Sequence, residues 1–271
     1  MQATPTWSPP GGTLGQIVAE AMRGLASLGM REAELTRLAA TVPPPPSFAD
    51  ALVRADVGII AEIKRRSPSR ADIRPGMVTE EWARAYQAGG AAAISVLTEE
   101  THFGGSAADI RLARAVTTIP ILRKDFHLDP LHALEARALG ASAMLLIARA
   151  LSPHDLDTLA RAAAGAGVEI LIEVRDEREL ERALAIEAAI IGVNNRDLET
   201  LVVDRETANR LIPLVPAGRI AVSESGVDDR SDVERLAAAG ADAVLVGSAL
   251  SASEEPAEAV RALTGVPRQR R

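Results

Sequence analysis

From residue 57 onward the chain alternates between two kinds of segment. Short, almost continuously apolar runs rich in Ile, Val and Leu are separated by stretches whose apolar residues recur at helical spacing. The runs are "VGIIAEI", "AAAISVL", "IPILR", "SAMLLIA", "VEILIEV", "AAIIGV", "RIAVSES" and "ADAVLVG". Between them lie amphipathic stretches such as "TEEWARAYQAG", "PLHALEARALG" and "DDRSDVERLAAAG". Several of these end in Gly just before the next run, as helix ends prefer. Continuously apolar strands alternating with helices predict a parallel sheet clothed by those helices. Eight such units in about 210 residues predict a (β/α)8 TIM barrel over 57–266. The alternative, an open doubly wound sheet, lacks the GxGxxG that would follow its first strand.

The first 56 residues do not share this rhythm. "TLGQIVAEAMRGLASL" and "REAELTRLAA" predict helices, "VPPPPS" stops them, and "FADALVRA" predicts one more short helix. Residues 1–56 are too few and too broken for a core of their own and are expected to form an N-terminal helical extension. Residues 267–271, with "RQRR", are expected to be a flexible, solvated tail.

Composition narrows the class. Of 271 residues, 47% are hydrophobic and 25% charged, as in ordinary soluble enzymes. A net charge of −7 argues against a nucleic-acid partner. The apolar runs fall short of the roughly 20 residues that span a bilayer, and no basic stretch precedes an apolar one at the N-terminus, so neither a membrane segment nor a signal peptide is expected. The absence of cysteine excludes disulfides, thiol nucleophiles and thiolate metal sites, and fits a cytoplasmic location. His102, His127, His132 and His154 show no metal-ligand spacing, so no metal is assigned.

The basic residues are uneven: twenty-eight are Arg and two are Lys, Lys64 and Lys124. A side chain needed only for its charge can be Arg, which stays protonated; an ammonium can shift its pKa and pass a proton. Lys64 follows the first run and Lys124 the third, which in a barrel is the catalytic rim. Glu62 and Lys64 flank Ile63, so they point to the same side and are expected inside the barrel mouth. Later run ends add Phe103, Phe126, Glu173, Asn194, Asn195, Arg196, Asp197, Ser223, Glu224, Ser225, Gly226, Gly247 and Ser248. "SESG" and "VGS" follow the seventh and eighth runs, where such barrels hold phosphate; turn glycine and N-cap serine are the plainer reading. A carboxylate within "EILIEV" is costly to bury unpaired. Glu173 therefore reads as an ion-pair partner of a lysine, as a proton-transfer group tuned by burial and by the lysines, or as both. Phe103 and Phe126 read equally as core or as an apolar wall for an aromatic substrate.

With "AEIKRRSPS", "ISVLTEETHFGGS", "PILRKDF", "LIEV", "GVNNRDLETL", "SESG" and "LVGSAL" in this order, the chain resembles the indole-3-glycerol phosphate synthases of tryptophan biosynthesis over nearly its whole length. The resemblance implies a barrel whose N-terminal extension helps cover the active site. It implies conversion of 1-(2-carboxyphenylamino)-1-deoxyribulose 5-phosphate to indole-3-glycerol phosphate, CO2 and water, with no metal or organic cofactor. Lys124 is then the general acid that helps the ribulosyl carbonyl accept attack from the anthranilate ring. Glu173 is the second acid–base group, serving the dehydration, and Lys64 contacts the substrate's anionic groups and is a further proton donor. Glu62, Asn194, Glu224 and Ser225 line the ribulosyl region and hold the lysines. Ser67, Gly226, Gly247 and Ser248 contact phosphate, Phe103, Phe126 and Leu145 wall the anthranilate pocket, and Arg196 joins the substrate-binding set.

The expected partner is a phosphorylated small molecule, with no nucleic acid or membrane, and the expected state is a monomer or at most a weak dimer. One departure stands out. The family usually has Gly within two residues of "SPS"; here Arg70 and Ala71 follow, which implies a stiffer or differently placed first loop. The chain ends after the eighth unit, without the phosphoribosylanthranilate isomerase domain fused in some relatives, so one activity is expected. Two rivals stay open: a Schiff-base aldolase with Lys124 as the imine-forming lysine, and a non-catalytic barrel that binds a phosphorylated ligand. Retention of Lys64, Lys124 and Glu173 together speaks against the second.

Overall fold

Each apolar run becomes a strand of one parallel sheet, because it is covered on both faces and needs no polar side. The strands are β1 (Gly58–Ile63), β2 (Ala93–Leu97), β3 (Ile121–Lys124), β4 (Ala143–Ile147), β5 (Glu169–Val174), β6 (Ile190–Asn194), β7 (Ala221–Glu224) and β8 (Ala243–Val246). They lie in chain order around a closed barrel, with β8 pairing back onto β1. Closure excludes the open doubly wound sheet. The computed structural model of the protein describes residues 7–187, 190–269 and 271. The first six residues of the expected extension, Ala188 and Ala189 of the run "AAIIGV", and Arg270 of the expected tail lie outside the described residues.

The helices are α1 (Gly12–Gly29), α2 (Glu32–Thr41), α3 (Phe48–Leu52), α4 (Thr79–Gly89), α5 (Ala107–Val116), α6 (Leu131–Leu139), α7 (Pro153–Ala166), α8 (Glu177–Leu184), α9 (Glu206–Leu211), α10 (Arg230–Ala238), α11 (Ser248–Ser251) and α12 (Pro256–Leu263). The glycines after α4, α6 and α7 take the left-handed conformation that ends a helix. A short hairpin, Arg66–Ser67 with Arg70–Asp72, fills the loop after β1. The hydrophobic pattern does not carry it, since its residues are polar.

Side chains alternate along each strand. Ile59, Ile63, Ile94, Ile172 and Val244 belong to the layer between sheet and helices. Ile60, Leu122, Leu171, Val222 and Leu245 belong to a second, inner cluster. By the same alternation Glu62, Lys124, Glu173, Asn194 and Glu224 point inward, one step nearer the C-terminal mouth.

The extension feeds that inner cluster from both ends. Leu14 and Ile17 of α1 join it at the mouth, and Phe48 and Leu52 of α3 join it at the base. Glu169, at the start of β5, holds α3 by accepting from Ser47 Oγ (2.8 Å) and from the N–H groups of Phe48 (3.2 Å) and Ala49 (2.6 Å). Between them α2 packs Leu35 and Ala39 beside Ala138 of α6, with Arg31 bonded to Glu135 at 2.7 Å. Glu199 anchors the start of α1 through Gly11 N–H (2.6 Å) and Thr13 N–H (3.0 Å). The tail departs from expectation. Arg268 and Arg271 both pair with Asp242, at 2.9 and 2.8 Å, because that carboxylate at the entry to β8 offers each an oxygen.

Candidate active site

Register brings the inward polar residues to one level. Glu62 lies opposite Ser95, Lys124 opposite Leu97, Glu173 opposite Gly192, and Asn194 opposite Glu224. Lys64 Nζ is 3.0 Å from Glu62 Oε1, so the side-by-side placement expected from Ile63 between them holds. Lys124 Nζ sits between two carboxyl groups, 3.8 Å from Glu173 and 3.5 Å from Glu224. All three glutamates are buried.

Three buried carboxyls against two ammonium groups cannot all ionise at equal ease. Burial works to raise Glu62, but Lys64 and Lys124 outweigh it and hold this carboxyl below its usual range. Burial pushes Glu173 up, partly offset by Lys124 and Asn194. Glu224 is pushed up to about 8 by burial and by its neighbours Glu173 and Glu62, against the pull of Lys124. For Lys124, burial acts to lower the pKa, yet Glu224, Glu173 and Glu62 raise it well above the usual ammonium value. Lys124 is therefore a protonated donor at neutral pH. Neither oxygen of Glu224 has a hydrogen-bond partner among the described residues, and at 3.5 Å the ammonium lies at the outer limit of reach. A buried group left this way is poised for a ligand.

These groups floor a cavity of about 410 Å³. Its walls include each of the expected substrate-binding residues. Phe103 and Phe126 stand on one side with ring centres 6.2 Å apart, beside Leu145. Ser67, Ser225, Gly226, Gly247 and Ser248 line the other. Gly247 leaves room for the ion pair: a Cβ there would lie 2.3 Å from Glu62 Oε1 and 2.7 Å from Lys64 Nζ, so any larger residue would displace one of them. Ser225 adopts φ +65°, a left-handed conformation unusual for serine. Asn195 accounts for it. Its Nδ2 donates to the Ser225 carbonyl at 2.9 Å while its Oδ1 accepts from Ala208 N–H. Arg196 also lines the cavity, its N–H donating to Asn194 Oδ1 (2.9 Å) and its Nη1 to the Leu201 carbonyl (2.9 Å).

The family resemblance implied that the extension helps cover the site, but sequence reasoning named none of the residues by which α1 does so. Thr13, Leu14 and Ile17 close the cavity from above. Their amphipathic pattern was visible, but it does not say which surface an isolated helix covers. The histidines have other roles: His102 Nε2 contacts Glu20 Oε2 at 2.7 Å, and His127 Nδ1 donates to the Leu145 carbonyl at 2.7 Å. Among the described residues no group of three or more His, Asp or Glu is placed to hold a metal ion, and no helix is long and apolar enough to cross a membrane.

The family model for indole-3-glycerol phosphate synthase matches residues 14–263. "Indole-3-glycerol phosphate synthase 2" of Streptomyces coelicolor is 47% identical over 256 residues, covering 94% of this chain and 99% of that protein. The indole-3-glycerol phosphate synthase of Opitutus terrae is 48% identical over 254 residues, covering 89% and 94%. Among solved structures, a mutant tryptophan synthase α-subunit from Pyrococcus furiosus superposes with a TM-score of 0.59 at 17% identity, covering 77% of this chain and 98% of that one. Thiamine phosphate pyrophosphorylase from the same organism gives 0.57 at 17%, covering 76% and 93%. At that identity the two structures speak for the fold alone.

Proposed function

The chain belongs to the indole-3-glycerol phosphate synthase family, and from that premise we propose how its residues divide the reaction. The enzyme is a carboxy-lyase of tryptophan biosynthesis that takes a phosphorylated small molecule. It closes the ring of 1-(2-carboxyphenylamino)-1-deoxyribulose 5-phosphate and releases CO2 and water. The observation that carries the proposal is the Lys124 ammonium held between Glu173 and Glu224 on the cavity floor.

In this reading the anthranilate ring rests between Phe103, Phe126 and Leu145, and the phosphate lies toward Ser67, Gly226, Gly247 and Ser248. Lys124 donates to the ribulosyl carbonyl oxygen as the ring carbon attacks, so the developing alkoxide is protonated to a hydroxyl that stays on the ribulosyl carbon until the dehydration. Loss of the carboxylate as CO2 then restores the aromatic ring and needs positioning more than a catalytic group. Glu173 moves the proton that lets the hydroxyl depart as water. Lys64 pairs with the substrate's anionic groups and is itself held by Glu62. Glu224, Asn194 and Ser225 bind the ribulosyl hydroxyls, which supplies Glu224 with the partners it lacks. Arg196 completes the rim.

The raised pKa of Lys124 argues against the aldolase alternative, since imine formation needs a neutral amine. The reading further makes residues 57–266 the catalytic unit and the N-terminal extension its cover, in a cytoplasmic protein that is a monomer or at most a weak dimer. The test is turnover by the purified protein without added metal, followed by indole fluorescence, with Lys124→Arg beside it. We expect product from the wild type and a loss of at least about 10²-fold in kcat for the variant, the size of a missing general acid. An active variant would remove the role given to Lys124. A borohydride-trapped adduct with substrate would favour the imine.

A further inference from the structure

Arg74 leaves the first βα loop and reaches across to the far end of α11. Its Nε donates to the Ser251 carbonyl (3.3 Å), and its Nη2 donates to the carbonyls of Ala252 (3.3 Å) and Ser253 (3.2 Å) and to Glu254 Oε1 (2.6 Å). The guanidinium lies 5.1 Å over the Trp82 ring. Of the carbonyls it gathers, those of Ser251 and Ala252 are ones the helix leaves without partners at its C-terminal end, where a cation is favoured. Lysine could not span four such acceptors from one nitrogen.

The same short segment begins in the cavity wall. Ser251 N–H donates back to the Gly247 carbonyl at 2.9 Å, and Ser251 Oγ donates to the Glu62 carbonyl at 2.9 Å. The backbone of Arg74 is fixed as well: its N–H donates to the Arg65 carbonyl at 3.0 Å, closing the loop that carries Ser67. Arg74 thus ties together the two neighbouring segments given phosphate contacts above, the loop that carries Ser67 and the turn that carries Gly247 and Ser248. It does not itself line the cavity.

We infer that Arg74 is a positioning residue for the phosphate seat, fixing the gap between Ser67 and the Gly247–Ser248 segment and so setting affinity for the phosphate end of the substrate without touching it. The inference rests on the phosphate reading given above. Loss of such a residue removes binding shared by ground state and transition state, which raises KM and leaves kcat nearly unchanged. An arginine that merely stabilised the fold would lower the melting temperature and leave the affinity of the folded enzyme alone.

The experiment compares Arg74→Ala, Arg74→Lys and Ser248→Ala. It measures kcat, KM and the inhibition constant of inorganic phosphate as a competitor. For Arg74→Ala we expect KM and the phosphate constant to rise together by about tenfold, with kcat within about twofold. Arg74→Lys should fall between it and the wild type, and Ser248→Ala should raise the same two constants. If Ser248→Ala raises them and Arg74→Ala does not, the inference about Arg74 fails and the phosphate reading stands. If Ser248→Ala leaves the phosphate constant unchanged, the phosphate reading fails and takes the inference with it. A fall in kcat at an unchanged phosphate constant also overturns the role. Should Arg74→Ala not fold, Arg74→Lys decides by the same criteria.

Discussion

Gly192 gives the sharpest test of how tightly the catalytic floor is built. It lies in β6 opposite Glu173, and a Cβ there would come within 2.3 Å of Glu224 Oε1 and 2.6 Å of Leu171 Cδ2. Its backbone is not in the left-handed region, so alanine can adopt it and the effect is one of space. Ordinary contact lies near 3.5 Å, so in Gly192→Ala the Glu224 carboxyl must retreat by about 1 Å. That movement disturbs the 3.5 Å spacing to Lys124. Misplacement of about 1 Å can cost about 10²-fold in rate, or about 2.7 kcal/mol in the barrier. Overpacking should cost stability by about 1–3 kcal/mol, against a gain of about 0.4–1 kcal/mol from the stiffer unfolded chain. The variant should therefore fold, melt a few degrees lower, and lose about two orders of magnitude in kcat. Steady-state kinetics by indole fluorescence and a urea titration read the two effects separately. A folded Gly192→Ala enzyme with kcat within about twofold of wild type would refute the claim that the placement of Glu224 beside Lys124 matters to the reaction.

Other expectations follow from the same geometry. Glu224 is raised from 4.5 to about 8 on folding, so the folded state keeps a proton that the unfolded chain releases. Its contribution to stability is complete below about pH 4.5 and is lost as pH rises through about 8. Melting temperatures measured across that window should fall toward alkaline pH in the wild type and fall less in Glu224→Gln; parallel curves would reject the shift. At the opposite end of the barrel, Glu169→Ala removes the acceptor for α3 and should cost about 1–3 kcal/mol in a urea titration with kcat unchanged. A kcat effect there would contradict the separation of a stabilising base from a catalytic mouth.

Much of the fold was legible because strand burial and helix amphipathicity repeat eight times, and each repeat reinforces the reading of the last. The site was legible for a different reason. Polar residues at the C-terminal ends of apolar strands have few structural excuses, and Glu62, Lys124, Glu173 and Glu224 all share that position. What the pattern could not carry was tertiary. Nothing local in "RRSPSRAD" distinguishes a hairpin from an open loop, since both are polar. Asn195 has no mark of its own that it would restrain Ser225 at positive φ. Arg268 and Arg271 read as solvated because their partner, Asp242, lies distant in sequence. The pairing of Lys124 with both Glu173 and Glu224 depends on register between strands that local sequence does not specify.

The extension that seals the barrel at both ends also bears on how such a chain is made. Synthesis proceeds from the N-terminus, so Leu14, Ile17, Phe48 and Leu52 emerge first. The residues that fix their helices arrive much later: Glu169 is 122 residues beyond Ser47, and Glu199 is 188 beyond Gly11. The last strand must then find the first before the inner column is enclosed. Contacts of such long sequence separation are slow to form and leave apolar surface uncovered meanwhile. For a growing chain, the leading segment is a plug made in advance of the vessel it closes.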